Sequence, residues 1–300
     1  MKMFSVYFKP EFKTLTRNYT SKDILKYRKE AASGDASAEF NLGNAYAHGR
    51  GVKKNYSTAA YWFKKAAHRG NSLAQIILGV LYFKGQGVNK SDAKGVYWLK
   101  KAAGQGNTLG QFFIGALYAK GMFVNQNYTK AAYWISKAAK KGNALAQLLL
   151  GLFYRKGMGV KQNYKKSLYW IRKAAGQGSP DAQFALGNAY NHGYGVKKNY
   201  AAAFPWFHKA AVQGNVNAQI IIGSYYYLGY GVKKNYAKAF YWVKKAAVQG
   251  NAGGEFGLGI LYYFGQGTPK NISKAVYWLK RSAAQGSNDA KRLLNKIGNP

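Results

Sequence analysis

Ser91 and Lys94 stand in the S-x-x-K spacing, in which a serine hydroxyl acts as nucleophile beside a lysine able to take its proton. That chemistry also needs partners of the S-D-N and K-T-G type, and neither occurs in the chain. Placed acids and bases are equally scarce. Between Ala36 and Ser287 only Glu39, Asp92, Asp181 and Glu255 are acidic, and no carboxylate pair is evident among them. Four histidines and no cysteine argue against a multi-ligand metal site and exclude disulfides. The expectation is a protein that is not an enzyme and carries no cofactor or metal.

What the chain has in abundance is positive charge. Lysine and arginine number 46 against 9 Asp and Glu, a formal net charge of +37. Such a field attracts any anion, so nucleic acid, anionic lipid, acidic glycan and acidic protein are all open as partners. Only 8 of the 46 are Arg, which argues against bidentate phosphate or base readout and for delocalised attraction. A composition 48% apolar and 16% aromatic is enough to bury a large core. In the opening stretch MKMFSVYFKPEFKTLTRNYT, Lys9, Pro10, Glu11 and Lys13 interrupt any apolar run of signal-peptide length. The cytoplasm is therefore the expected location, with export by another route left open. No run of about 18 apolar residues proposes a transmembrane span.

These side chains are set out by a repeat. Trp62, Trp98, Trp134, Trp170, Trp206, Trp242 and Trp278 are each 36 residues apart and include every tryptophan of the chain. A glycine keeps the same period from Gly43 to Gly259, with a tyrosine three residues after each, from Tyr46 to Tyr262. Within one unit, NSLAQIILGVLYFKG (Asn71 to Gly85) has apolar or small residues at Ala74, Leu78, Val80, Leu81 and Tyr82, the spacing of a helix, here helix A. After a G-x-G-V turn, Asn55, Asn127, Asn163, Asn199, Asn235 and Asn271 stand where an N-cap is needed, with Ser91 as the one substitute. Ser91 thus has a capping role that accounts for it without catalysis. Helix B follows from Tyr56 to His68, with Ala59, Ala60, Phe63, Ala66 and Ala67 on one face and Gly70 as its stop. Asn55, Asn127 and Asn271 also form N-x-S/T sequons, which matter only on a secretory route. His48 and His192 share a register but lie four repeats apart, too far for one metal ion at roughly 10 Å per stacked unit.

A hairpin this short cannot cover its own apolar face, so successive units must stack, with the alanine pairs and the Gly43-type glycine allowing close approach and the Trp62-type ring filling space between units. The fold class is all-α, a solenoid of antiparallel helix pairs with about seven 36-residue repeats and capping half-repeats. The expected layout is a basic N-terminal tail over 1–20, a capping helix over 21–35, repeats over 36–286 and a second capping helix over 287–300. Three departures stand out: Phe123 replaces the second turn glycine of the third repeat, Thr268 and Pro269 alter the last turn, and Pro205 should kink helix B of the fifth repeat.

The pattern AQxxLGxxYxxGxGVxxNYxKAxYWxKKAAxQGN resembles the Sel-one-like repeat, a short relative of the tetratricopeptide repeat, over residues 36 to about 296. The resemblance implies a right-handed solenoid and a role as an adaptor that assembles complexes. It carries fold well and specific function hardly at all.

Two surfaces are candidates for binding. Lys65, Lys101, Lys137, Lys173, Lys209 and Lys245, with Arg281, form a ladder on helix B, with Tyr61-type tyrosines on the same face. This is an anion-attracting exterior or simply a solvated one. The other surface is a stripe on helix A, expected to line the concave side by analogy with related solenoids. Its apolar members are Leu73, Ile77, Val80, Leu109, Phe113, Leu145, Leu149 and Leu152, flanked by Asn41 and Asn44 in the first repeat and Asn188 and His192 in the fifth. An exposed apolar patch of that extent marks a binding site, the alternative being that superhelix curvature buries part of it. The reading is a monomeric, non-catalytic scaffold holding an extended or helical segment of an acidic partner protein. The rival is a sequence-independent binder of nucleic acid or another anionic polymer or surface.

Overall fold

A computed structural model of the chain describes residues 19–298, which hold sixteen α-helices and no strand. All but the last two residues of the expected N-terminal tail lie outside the described residues. None of the described helices is long and apolar enough to cross a membrane.

The chain divides into two compact units, one ending at Asn143 and the other beginning at Ala144. The first contains α1 (Ser21–Ala32), α2 (Ala36–His48), α3 (Tyr56–His68), α4 (Ser72–Lys84), α5 (Asp92–Gly104), α6 (Thr108–Lys120) and α7 (Tyr128–Lys140). The second contains α8 (Ala144–Lys156), α9 (Tyr164–Gly176), α10 (Pro180–His192), α11 (Tyr200–Val212), α12 (Val216–Leu228), α13 (Tyr236–Val248), α14 (Ala252–Phe264), α15 (Ile272–Ala284) and α16 (Asn288–Gly298). Even-numbered helices are A helices and odd-numbered ones are B helices. Within each unit a helix packs on its neighbours in sequence.

Local chemistry sets these boundaries. Asn71 caps α4 by accepting from the Ala74 amide, and Gly85 ends it in the left-handed region at φ 65°. Asn55, Ser91, Asn127, Asn163, Asn199, Asn235 and Asn271 all cap the B helices through the amide three residues on. The amide of each cap residue in turn donates to the carbonyl of the repeat's tyrosine, as Asn55 does to Tyr46 at 2.9 Å, which closes the A-to-B turn. Phe123 takes the second turn position at φ 63°, where the other repeats have glycine, and stacks on Phe83 with centroids 4.2 Å apart. Pro205 does not break α11, which runs unbroken through it.

The tryptophans are only part of the core. Trp98 and Trp242 are buried, but Trp62, Trp134, Trp170, Trp206 and Trp278 are half-buried. The residue after each tryptophan is the enclosed one: Phe63, Leu99, Ile135, Ile171, Phe207, Val243 and Leu279 are all buried. These seven face the glycine ladder of helix A in their own repeat. With a heptad-like face of Ala59, Ala60, Phe63, Ala66 and Ala67, all buried, helix B lies close against helix A. Close packing of small residues against one branched or aromatic ring is what holds each pair.

Candidate partner-binding surfaces

In the first unit the A-helix stripe is only partly open. Leu73 is 39% exposed, Ile77, Val80 and Leu109 are half-buried, and Asn41 accepts a long hydrogen bond from the Tyr19 hydroxyl at 3.4 Å. Two expected members are not surface residues. Asn44 is fully buried, and Phe113 lies inside a run from Gly110 to Tyr118 in which every residue is buried, its ring tilted against Phe112 at 5.6 Å. The third repeat therefore presents no exposed apolar stripe there, because α6 is enclosed on all sides over that run.

In the second unit Leu145, Leu149, Leu152 and Asn188 are half-buried and His192 is exposed. Asn188 and His192 border a cleft of about 670 Å³ with Arg155, Lys156, Gln162, Tyr164 and Tyr194. Tyr194 is its centre: Tyr164 stacks on it at 5.5 Å, His192 at 5.3 Å, and the Arg155 guanidinium lies 5.8 Å from its ring. Gln162 Nε2 donates to the Arg155 carbonyl at 2.8 Å and to the Tyr164 hydroxyl at 3.1 Å, fixing both. The Tyr225 hydroxyl donates to Asn191 Oδ1 at 2.6 Å, and burial pushes the pKa of that hydroxyl up, so it stays a donor. Asn191 Nδ2 in turn lies 3.1 Å from His192 Nε2. An apolar pocket of about 330 Å³ lies further along the same unit, between α12 and α14, lined by Ile220, Leu228, Gly253, Phe256, Gly257 and Ile260 among others.

The B-helix cations are held over rings. Lys137 Nζ lies 4.4 Å from the Tyr133 centroid and 5.3 Å from that of Trp134. Lys65, Lys101, Lys173 and Lys245 make the same double contact, Lys209 sits over Trp206 alone, and Arg281 takes the position in the last repeat. A second set bridges the helices of one repeat, with Lys94 over Tyr82, Lys130 over Tyr118, Lys166 over Tyr154, Lys238 over Tyr226 and Lys274 over Tyr262. Much of the lysine periodicity thus has a structural partner.

Sequence reasoning passed over a buried polar register. Glu39, Gln75, Gln111, Gln147, Gln183, Gln219 and Glu255 are all buried, 36 residues apart. Gln213 Nε2 donates to Gln183 Oε1 and Gln249 Nε2 to Gln219 Oε1, both at 2.8 Å, and Gln75 Nε2 donates to the Ala67 carbonyl at 3.1 Å. At the two glutamates an arginine joins in: Arg69 Nε lies 3.2 Å from Glu39 Oε1, and Arg281 Nε 2.8 Å from Glu255 Oε1, whose other oxygen accepts from Gln285 Nε2 at 2.7 Å. The A-Q of the repeat pattern carried that signal. Arg155 and Tyr194 were legible too, as the one basic residue and one of two tyrosines at their registers. Among the described residues no group of three or more His, Asp or Glu could hold a metal ion.

The Sel1 repeat model matches seven consecutive segments, residues 36–71, 72–107, 108–143, 144–179, 180–215, 216–251 and 252–287. The chain is similar to c5321, a protective antigen of uropathogenic Escherichia coli strains with an SLR fold, at 39% identity and a TM-score of 0.85 over 90% of this chain and 58% of that one. It is also similar to a Sel1 repeat protein from Oxalobacter formigenes, at 35% identity and a TM-score of 0.77 over 91% of this chain and 80% of that one. The chain therefore spans less than two thirds of the antigen's length. No curated protein sequence matches it.

Proposed function

This chain belongs to the Sel1 repeat family, whose members are generally protein–protein interaction scaffolds, and on that premise we propose that it is a non-catalytic scaffold holding a segment of a partner protein against its A-helix faces. The observation that carries this reading is the contrast between the two faces. Cations of the B helices are engaged with their own rings, whereas the A helices offer Leu73, Leu145 and Leu149 at least partly to solvent and border both the cleft and the apolar pocket. Apolar area removed from water at roughly 25 cal/mol per Å² drives such docking, and the surrounding positive field mainly speeds encounter with an acidic partner.

One observation favours the rival, a binder of anionic polymer. Tyr61, Tyr97, Tyr133, Tyr169, Tyr241 and Tyr277 are 50–56% exposed between the lysines, and exposed rings within a basic strip can stack on bases. A photo-crosslinking residue placed at Leu73, Leu145 or Leu149, and separately at Lys101 or Lys173, tests the two in the producing cells. The scaffold reading expects one common polypeptide attached at the A-helix positions. Adducts confined to the lysine positions, and made of nucleic acid, would replace it with the rival.

A further inference from the structure

The basic cleft and the apolar pocket both belong to the second unit and both open on A-helix residues of one register series. Lys156 and His192 of the cleft occupy the same repeat position as Leu228 of the pocket wall. Within the second unit the last-turn residue of that register changes from Lys156 through His192 to Leu228 and Phe264, so the face runs from cationic to apolar. We propose that α8, α10, α12 and α14 form one linear docking site for an extended peptide segment that places a carboxylate in the Tyr194 cleft and an apolar side chain in the Gly253 pocket. The proposal rests on the scaffold reading and specifies its partner's chemistry.

Charge and preorganisation argue for the carboxylate. No residue lining the cleft is acidic, and Arg155 and Lys156 both border it. The guanidinium lies 5.8 Å from the Tyr194 ring, a contact that favours its position in the cleft and reduces the freedom lost on binding. A planar fork held this way suits a carboxylate. Nucleic acid fits less well, since Tyr194 already stacks on Tyr164 and His192 and the neighbouring pocket offers nothing to a phosphate.

Two glycines argue for the apolar anchor. Gly253 and Gly257 lie inside α14 at the positions where the second repeat has Leu73 and Ile77, and neither has a positive φ that would require glycine. Glycine weakens a helix interior, so its presence twice on one face needs a reason in what that face does. A Cβ on Gly253 would meet Asn251 Oδ1 at 3.3 Å and Ile220 Cδ1 at 3.7 Å, so a small shift would admit a side chain there, whereas one on Gly257 would press on Val243 Cγ1 at 3.1 Å. Their absence is what leaves the pocket open. Cleft and pocket lie two repeats apart within one unit, so the acid and the anchor should keep one fixed spacing along an extended segment.

Random dodecapeptides displayed on phage and selected against the full chain provide the probe, and the enriched sequences are then made as amidated synthetic peptides. The expected result is an Asp or Glu at one recurring spacing from a Leu, Ile or Phe. Arg155→Gln with Lys156→Gln should weaken that peptide at least tenfold. Gly253→Leu, which installs the side chain already present at Leu73, Leu109 and Leu145, should weaken it at least tenfold while raising the melting temperature. Opposite signs for stability and binding separate a filled pocket from a damaged fold. Enriched peptides lacking the pair, peptides indifferent to either variant, or a single-stranded oligonucleotide that binds only through Arg155 and Lys156 would each overturn the inference. If crosslinks at Leu145 and Leu149 persist in that event, only this site falls; if they too are missing, the scaffold reading falls with it.

Discussion

A Cβ built on Gly151 would stand 2.6 Å from Ile171 Cγ1, closer than real side chains approach, so α8 and α9 can meet only where that Cβ is missing. Gly187 bears the same relation to Phe207 at 2.6 Å, Gly223 to Val243 at 2.6 Å and Gly115 to Ile135 at 2.7 Å. Gly79 is looser, with Leu99 Cγ at 3.3 Å and the Gly95 carbonyl at 3.0 Å. The glycine period is therefore a contact between A and B helices of one repeat.

Gly151→Ala should destabilise the protein by about 1–3 kcal/mol through overpacking, even though alanine favours a helix by about 1 kcal/mol over glycine. Gly253→Ala, where a Cβ would have only Asn251 Oδ1 at 3.3 Å and Ile220 Cδ1 at 3.7 Å near it, should stabilise by up to about 1 kcal/mol. Urea denaturation of both variants checks the pair. Shifts of the same sign would mean that helix propensity alone governs these positions.

Ile135→Ala should cost about 2–5 kcal/mol, since the side chain is fully enclosed. Trp134→Ala should cost no more, because its ring is half-exposed and part of its area stays in water when folded. Hydrogen exchange in the first unit should report the loss for both. A much larger effect at Trp134 would restore the tryptophan as the main anchor.

Arg281→Ala leaves the buried Glu255 carboxylate with Gln285 as its remaining neighbour, at 2.7 Å, and should destabilise by about 1–3 kcal/mol. Adding Glu255→Gln recreates the neutral residue found at this register in the five middle repeats and should recover most of the loss. A double-mutant cycle by thermal unfolding decides. Strict additivity would mean the pair does not interact.

Phe123→Ala keeps a left-handed residue without the ring stacked on Phe83, whereas Phe123→Gly loses the ring but regains an easy backbone. The glycine variant should therefore be the more stable of the two by about 1 kcal/mol. Equal midpoints would show that φ at this turn carries no strain.

Converting Lys65, Lys101, Lys137, Lys173, Lys209 and Lys245 to Gln should slow association with an acidic peptide severalfold while changing its dissociation rate little. Stability should fall as well, because each ring contact of this exposed kind is worth about 0.5–1 kcal/mol. Stopped-flow kinetics at two salt concentrations measures the first effect. Outright loss of binding in a folded variant would move the site to the B helices.

Helix ends were legible because their chemistry is local: Asn71, Asn55 and Gly85 announce a cap, a cap and a left-handed stop by type alone. The buried face of helix B was legible because Ala59, Ala60, Phe63, Ala66 and Ala67 follow one helical period. Burial on helix A was not. Phe113 and Ile77 share a register, yet one is enclosed and the other half-open, because enclosure depends on what the neighbouring repeats place over the site. The cleft was half legible: Asn188 and His192 were singled out, but Arg155, Tyr164 and Tyr194 come together only when a turn and two helices meet. A three-dimensional pocket has no signature in a one-dimensional period.

Each buried glutamate has its arginine within the same 36-residue segment, Glu39 with Arg69 and Glu255 with Arg281, and Gln183 and Gln219 likewise have Gln213 and Gln249. The segment between one A-helix cap and the next is consequently neutralised from within at its buried carboxylate, even though Gln75 reaches back to the Ala67 carbonyl of the segment before. Duplicating or excising a whole segment carries each buried carboxylate away together with its arginine, so copy number can drift without stranding a charge in the interior. A breakpoint between Glu39 and Arg69 has no such protection, and recombination there leaves a carboxylate enclosed beside whatever donor the other parent happened to supply.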